Sequence, residues 1–272
     1  MKILITGSAG FVGKNLVEKL SPKHKIVRYD LVNGQDVLDS KLLLKKLEGV
    51  ELVIHLAAFI SAAESWEKPM EYMKNNTLGT LSVVKCAIKA GVKKMVFFSS
   101  AAVKAKPLTP YAVSKMNAEN ILNLYKNRMN IIIVRPENIY GTGQKEENGY
   151  VIHNFIKAVK KGKTIKINGN GKQTRDFIYI GDVADTIDKL IGMDVKSGTV
   201  ISLGTGRETN IIDLAKIIGK TLKKNTTIEF LEKREEPFKS VADVRDLSAM
   251  GVDTKKFVVL EKGIKKIAEF RY

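Results

Sequence analysis

The stretch PYAVSK (Pro110–Lys115) sets a phenol, Tyr111, four residues before an amine, Lys115. Residues four apart on a helix share a face, so one ammonium would lie beside one phenol. A neighbouring positive charge favours the ionised phenol and lowers it from its ordinary pKa near 10. A phenolate of that kind is a general base for drawing a proton from an alcohol. The spacing alone carries little information: eight tyrosines and 38 lysines over 272 positions give about one such pair by accident. Its meaning depends on what the rest of the chain places near it.

A second chemical signal opens the chain. In ILITGSAGFVGKNLVEKL an apolar strand runs into Gly7, Gly10 and Gly13, spaced G-x-x-G-x-x-G, and then into a helix. Glycine suits a tight turn, a close backbone approach to a pyrophosphate, and close helix–strand packing. Free N–H groups at the helix start would face the phosphates, which nominates Ala9, Phe11 and Val12 beside the three glycines. A second strand ends at Asp30, 17 residues beyond Gly13, near the spacing for an acid on the adenosine ribose hydroxyls. The charge of Asp30 would repel a 2′-phosphate, and no arginine follows it. NAD is therefore expected rather than NADP.

Short apolar runs and helix-like segments alternate to position these groups. KILIT, KIVRYD, ELVIHLA, KMVFFSS and NIIIVRP read as buried strands. FVGKNLVEKL, SKLLLKKL, LGTLSVVKCAIKAG and YAVSKMNAENILNLYKN read as the helices between them. The pattern implies an α/β fold, a Rossmann-type doubly wound parallel sheet covered on both faces. After residue 136 the rhythm turns irregular: a helix in YVIHNFIKAVKKG, a strand TIKIN, a loop GNGKQTRDFIYIGDVAD and a terminal helix LEKGIKKIAEF. The expected division is 1–136 for cofactor binding, with 176–204 returning to it, and 137–175 plus 205–272 as a smaller substrate-binding lobe.

Composition excludes several functions. The 272 residues are 44% hydrophobic and 28% charged, as in ordinary globular domains. One cysteine, Cys86, allows no internal disulfide and sits in a helix-like segment, where a packed thiol is expected. His24, His55 and His153 lie far apart with no metal-site spacing. No apolar run is long enough for a bilayer, and MKILITGSAG reaches glycine too early for a signal peptide, so a cytoplasmic protein is expected. The net charge of +17 comes from scattered lysine groups without interleaved aromatics, which points to a solvated surface and away from nucleic acid.

Taken with these motifs, the chain resembles the extended short-chain dehydrogenase/reductase family, particularly its NAD-dependent nucleotide-sugar epimerases and dehydratases, over essentially its whole length. DVLD, with Asp36 and Val37, resembles the adenine-contacting segment. HLAA, with Leu56, Ala57 and Ala58, resembles the strand end beneath the pyrophosphate, and NNTLGT the Asn-x-x-Gly-Thr element through Asn76. FFSSAAV is similar to the serine-bearing strand, and Tyr111 and Lys115 fall where the family keeps its Tyr-x-x-x-Lys. The resemblance implies that Ser100, Tyr111 and Lys115 are catalytic and that Lys115 also holds the nicotinamide ribose. Ser99 would lie on the nicotinamide side, with Pro136 nearby. RPENIYG, the GNG…RDF loop and EKREEPFKSVADVRDL imply substrate contacts by Asn138 and a diphosphate grip by Arg175 and Arg234.

Two departures stand out. Only eleven steps separate Ser100 from Tyr111, where the family usually has a longer segment, and Glu137 replaces a frequent aromatic. Family dehydratases generally carry an acidic pair after the serine or threonine; here Ala101 and Ala102 follow. What remains is a nucleotide-diphosphate-sugar epimerase, with C4 of a UDP-hexose (UDP-glucose/UDP-galactose) as the leading substrate. The alternatives are a small-alcohol dehydrogenase resembling threonine dehydrogenases, a dehydratase, and an NAD-sensing or RNA-associated protein without turnover. By the same resemblance, NTLGTLSVVKCAIKA and PYAVSKMNAENILNLYKN would pair in a homodimer as a four-helix bundle.

Overall fold

The computed structural model describes residues 1–144 and 150–270. In chain order the first elements are β1 (Lys2–Thr6), α1 (Phe11–Leu20), β2 (Lys25–Tyr29), α2 (Ser40–Lys46) and β3 (Leu52–His55). Two one-turn helices follow, α3 (Glu64–Glu67) and α4 (Pro69–Tyr72), then a π-helical stretch Met73–Leu78 that runs into α5 (Gly79–Lys89). Next come β4 (Lys94–Phe98), α6 (Pro110–Tyr125), β5 (Asn130–Pro136), β6 (Asn138–Tyr140), α7 (Val151–Lys160), β7 (Ile165–Asn168) and β8 (Thr174–Arg175). The chain ends with β9 (Phe177–Tyr179), α8 (Ile180–Ile191), β10 (Val200–Leu203), β11 (Thr209–Asn210), α9 (Ile211–Leu222), β12 (Ile228–Leu231), β13 (Lys239–Ser240), α10 (Arg245–Ala249) and α11 (Leu260–Glu269).

These elements form two compact units. The first comprises Met1–Lys104, Leu108–Pro136 and Ala184–Ile201; the second comprises Ala105–Pro107, Glu137–Val183 and Ser202–Tyr272. The first is built on a six-stranded sheet in the order β10-β5-β4-β3-β1-β2, with β1–β2, β1–β3, β3–β4 and β4–β5 parallel. Consecutive strand residues Ile3, Leu4 and Ile5, or Met95 and Val96, are fully buried. Because successive side chains point to opposite faces, burial without alternation means both faces are covered. On one face Leu4, Val53, Phe97 and Ile131 pack with Leu43 of α2, Val83, Val84 and Ala87 of α5, and Ala118 and Leu122 of α6. Burying one such leucine or valine contributes about 1.5–3 kcal/mol, so this face fixes where α6 lies. Cys86 is in that cluster, and burial pushes its thiol up.

Ala184–Ile201, inside the expected 176–204, returns to the first unit and is held there by hydrogen bonds. Lys94 Nζ donates to the carbonyls of Ile191 (3.1 Å) and Met193 (2.6 Å), capping the end of α8. Ser197 Oγ donates to the Lys126 carbonyl (2.7 Å), and Gly198 N to that of Ile131 (2.7 Å). Ion pairs join α1 and the turn after it to α8 through Lys19–Asp185 and Lys23–Asp188. Residues 177–179 instead form β9, which pairs in parallel with β6.

In the second unit the stretch GNGKQTRDFIYIGDVAD, expected as a loop, folds into β8, β9 and the first turn of α8. Its organising residue is Asp176, fully buried. The carboxylate accepts bonds from Thr205 Oγ1 (2.6 Å), Thr205 N (3.0 Å), Gly206 N (2.8 Å) and Ala242 N (3.3 Å). A side chain added at Gly204 would meet Asp176 Oδ2 at 2.5 Å, so glycine is needed there. The backbone N–H groups that would otherwise shape a loop are thus drawn to one charged centre.

Candidate active site

The glycine turn has the geometry of an anion cradle. Gly7 sits at φ +68° in the left-handed region, and Gly10 N donates back to Gly7 O at 3.1 Å. A Cβ at Gly13 would fall 2.1 Å from Gly7 O, and one at Gly7 would fall 2.8 Å from Ala57 N. Both are backbone clashes that no rotamer relieves. Gly10 caps α1 without a side chain, and no acidic residue lies in its first turn. The N–H groups of Phe11, Val12 and Gly13 therefore precede the first intrahelical donor, Lys14 N, which bonds Gly10 O at 2.9 Å. Leu56 N and Ala57 N donate to Thr6 Oγ1 (3.1 and 3.2 Å), which seats the end of β3 under this turn. Ala58 follows, half-buried.

Asp30 lies at the end of β2, 8% exposed, and its carboxylate accepts from Ala9 N (2.7 Å) and Val32 N (3.1 Å). Two bonds leave about half of the acceptor positions of a carboxylate for a ribose diol. Asp36 Oδ1 accepts from Leu38 N (2.9 Å), and Val37 is buried in the α2–α5 face cluster. The free helix start, the glycines and the partly committed acid fit a dinucleotide with adenosine ribose at Asp30. Replacing Gly13 with alanine is expected to weaken NAD binding by more than about tenfold. Titration of the purified G13A protein with NAD by calorimetry checks this, and unchanged affinity would remove the turn from the site.

Tyr111 and Lys115 occupy successive turns of α6. Thr109 caps this helix, accepting from Ala112 N at 3.2 Å, and Pro110 takes the first helical position, where its missing N–H costs nothing. Tyr111 is 9% exposed, its ring edge-on to Tyr72 at 6.4 Å. Lys115 is 3% exposed, with Nζ 4.6 Å from the centre of the Phe97 ring on β4. Burial pushes its amine down to about 7, opposed by the charge of Glu119. Ser100, just beyond β4, accepts from Ala102 N (3.1 Å) into a short 3₁₀ turn, Ala101–Lys104, that packs against α6. One accepted bond leaves its O–H to donate.

Two residues expected as cofactor ligands direct their polar atoms inward. Asn76, 1% exposed, donates from Nδ2 to Phe59 O and Ser114 Oγ (both 2.9 Å), while Oδ1 accepts from Phe59 N (2.8 Å) and Asn75 Nδ2 (3.0 Å). Its amide has no donor left, so it acts as a clamp, and Ser114 carries the clamp to the Tyr111 carbonyl at 2.7 Å. Ser99, 4% exposed, donates its hydroxyl to Glu119. Pro136 closes β5 and is half-buried.

Sequence reasoning missed two polar groups here. His55 on β3 is 1% exposed, between Thr6 Oγ1 (2.7 Å to Nδ1) and Thr80 Oγ1 (3.0 Å to Nε2). Thr80 already donates to Asn76 O (2.6 Å), so it accepts from His55, and Thr6 donates to it. Burial, then the neighbouring Lys115, pushes His55 down to about 3, so it is neutral at physiological pH. A lone histidine inside the apolar run ELVIHLA was the available signal. The second group is Glu119, one turn beyond Lys115, buried and paired with the half-buried Arg135.

The expected substrate residues lie in the second unit. Asn138 is exposed, and its Nδ2 donates to Asp176 O at 3.0 Å. Arg175 donates to the carbonyls of Thr174 (2.8 Å) and Pro237 (2.9 Å) and pairs with Glu236. Arg234 is exposed on the stretch after β12. Glu137 Oε2 accepts from Ser240 Oγ at 2.6 Å.

Known proteins are similar to this chain over nearly its whole length. The UDP-glucose 4-epimerase of Mycolicibacterium smegmatis is 30% identical, covering 99% of this chain and 98% of that protein. A dTDP-D-glucose 4,6-dehydratase of Dictyostelium discoideum is 29% identical across 80% of this chain and 61% of its own length. The crystal structure of the Thermotoga maritima UDP-glucose 4-epimerase with UDP-glucose superposes with a TM-score of 0.91 at 26% identity, covering 99% of this chain and 98% of that one. The profile of the NAD dependent epimerase/dehydratase family matches residues 3–204, and the chain belongs to that family.

Proposed function

We propose that this protein interconverts the C4 epimers of a nucleotide-diphosphate hexose, with a UDP-hexose as the leading substrate. The observation that carries the reading is the buried Tyr111 and Lys115 on one face of α6, with the short turn that follows Ser100 packed against the same helix. Bound NAD would supply the acceptor and donor of hydride at the sugar carbon. Tyr111 takes the proton from the sugar hydroxyl at that carbon and later returns it. Lys115, when protonated, favours the phenolate through its charge. Ser100 donates a hydrogen bond to the same sugar oxygen as it passes between hydroxyl and ketone. The low exposure of Tyr111 and Lys115 keeps bulk water from these proton positions.

Arg175 and Arg234 are assigned to the diphosphate, whose paired oxygens suit a planar guanidinium. Arg175 is held by Glu236 in the free protein, so the diphosphate has to replace that carboxylate. Charge-assisted bonds of this type carry about 1.5–3 kcal/mol, so an Arg175→Met protein is expected to raise KM for the nucleotide sugar roughly tenfold or more. Its affinity for NAD should not move. Steady-state kinetics beside NAD titration reads both, and an unchanged KM would withdraw Arg175 from the substrate.

Dehydratases are also relatives, but Ala101 and Ala102 follow Ser100 and bring no acid to this stretch. Incubation with UDP-, dTDP- and GDP-hexoses and NAD, followed by product separation, tests the reading. A C4 epimer supports it. A 4-keto-6-deoxy sugar would make the protein a dehydratase, and net NADH with a small alcohol would make it a dehydrogenase.

A further inference from the structure

Glu119 has no part in the chemistry described so far, yet its carboxylate is among the most heavily bonded groups of the first unit. It is 7% exposed, on the stripe of α6 that carries Tyr111 and Lys115 at steps of four. It accepts from Arg135 Nε at 2.9 Å, from Arg135 Nη2, and from the Ser99 hydroxyl. Three elements meet at this carboxylate: α6, β5 through Arg135, and the end of β4 through Ser99. A buried ion pair is a poor source of stability compared with an apolar pair of the same shape. Its position one turn beyond a buried amine gives it another use.

We propose that Glu119 is a positioning residue for the tyrosine base: one helical turn beyond Lys115, it is the counter-charge that favours the ammonium form of that side chain, and through Ser99 it fixes the end of β4. The proposal rests on the assignment of Tyr111 and Lys115 above. Lys115 meets Tyr111 one turn before it, Glu119 one turn after it, the neutral His55 on β3 and the Phe97 ring on β4, with Arg135 on β5 behind Glu119. Lysines 74, 85, 89 and 104, on other elements around α6, are exposed and screened by solvent. Burial acts to strip the proton from Lys115, and Glu119 is the nearby anion that opposes it. Arg135 offsets part of that charge, so it sets how strongly Glu119 acts.

The two charges of the pair therefore have opposite effects on one reporter. In NAD-free protein labelled with ¹⁵N-lysine, the Lys115 Nζ resonance, assigned by its loss in K115M, is followed against pH. In E119Q the midpoint is expected to fall by about one unit or more. In R135M it should rise, because Glu119 is no longer offset, and in S99A it should stay near the parent value. A carboxylate that only braced the fold would leave all the midpoints together, and that result overturns the proposal. Should E119Q fail to fold, R135M and the charge-keeping E119D carry the test: a midpoint in R135M at or below the parent's is equally fatal. Turnover on the nucleotide-sugar panel is measured on the same proteins. An inactive parent would defeat the assigned reaction while leaving the lysine titration to be judged alone.

Discussion

A Tyr111→Phe protein is expected to fold as the parent does and to turn over its nucleotide sugar on the order of 10²–10⁴-fold more slowly. The ring is 9% exposed and rests edge-on against Tyr72, contacts that phenylalanine keeps. What disappears is the atom proposed to hold the sugar proton. Because the proposed grip on the nucleotide sugar lies at Arg175 and Arg234, kcat should fall far more than KM changes. NAD affinity should stay close to the parent's. Stopped time courses with the substrate found in the panel give the ratio directly. Turnover within about threefold of the parent would show that another group takes the proton, and the proposed chemistry would have to be abandoned.

Replacing Lys115 with methionine is expected to have opposite effects on activity and stability. Activity should drop by at least about 10²-fold, because the phenolate loses the charge that favours it. The ligand-free protein should become more stable near neutral pH, because a buried amine is replaced by an apolar chain of similar length. The sign follows from proton binding. Burial lowers the folded-state value from 10.5 to about 7, so between those limits the unfolded chain binds more protons than the folded one. Parent stability attributable to this group therefore rises with pH across that window. It is flat below about 7, where both states carry the charge, and flat again above 10.5, where neither does. The penalty is fully present below about 7 and amounts to a few kcal/mol at most. Denaturant melts of parent and K115M at pH 6 and pH 9.5 check this. The stability advantage of the variant should shrink markedly at the higher pH; a constant difference would mean that Lys115 is not a desolvated ammonium in the free protein.

Much of the first unit was legible because local signals and global packing agree there. The runs KILIT and NIIIVRP became β1 and β5 with the expected ends, and FVGKNLVEKL became α1 residue for residue. An unbroken apolar run has only one stable place in an α/β protein, the middle of a covered parallel sheet. Gly7 and Gly13 were legible for a related reason: a Cβ at either would meet backbone, a constraint that the residue type itself reports. The second unit was less legible. Its strands are two to four residues long, too short to show a period, and the glycine-rich stretch around Arg175 hides Asp176 among ordinary turn residues.

The sequence by itself determined the fold class, the phosphate turn, the acid at the end of β2, and the tyrosine–lysine pair on one helical face. These rest on spacing along a single element, where geometry is fixed by the backbone. Only the tertiary structure decided which polar atoms remain available to a ligand. Asn76 and Ser99 look like ligands in the chain, yet one clamps α6 to the Phe59 backbone and the other bonds Glu119. Arg135 and His55 come to the surroundings of Glu119 and Lys115 from two different strands, β5 and β3. A hydrogen bond takes its partner from space rather than from sequence, and burial makes each such choice binding, because an unmet polar group inside the protein has no water to turn to.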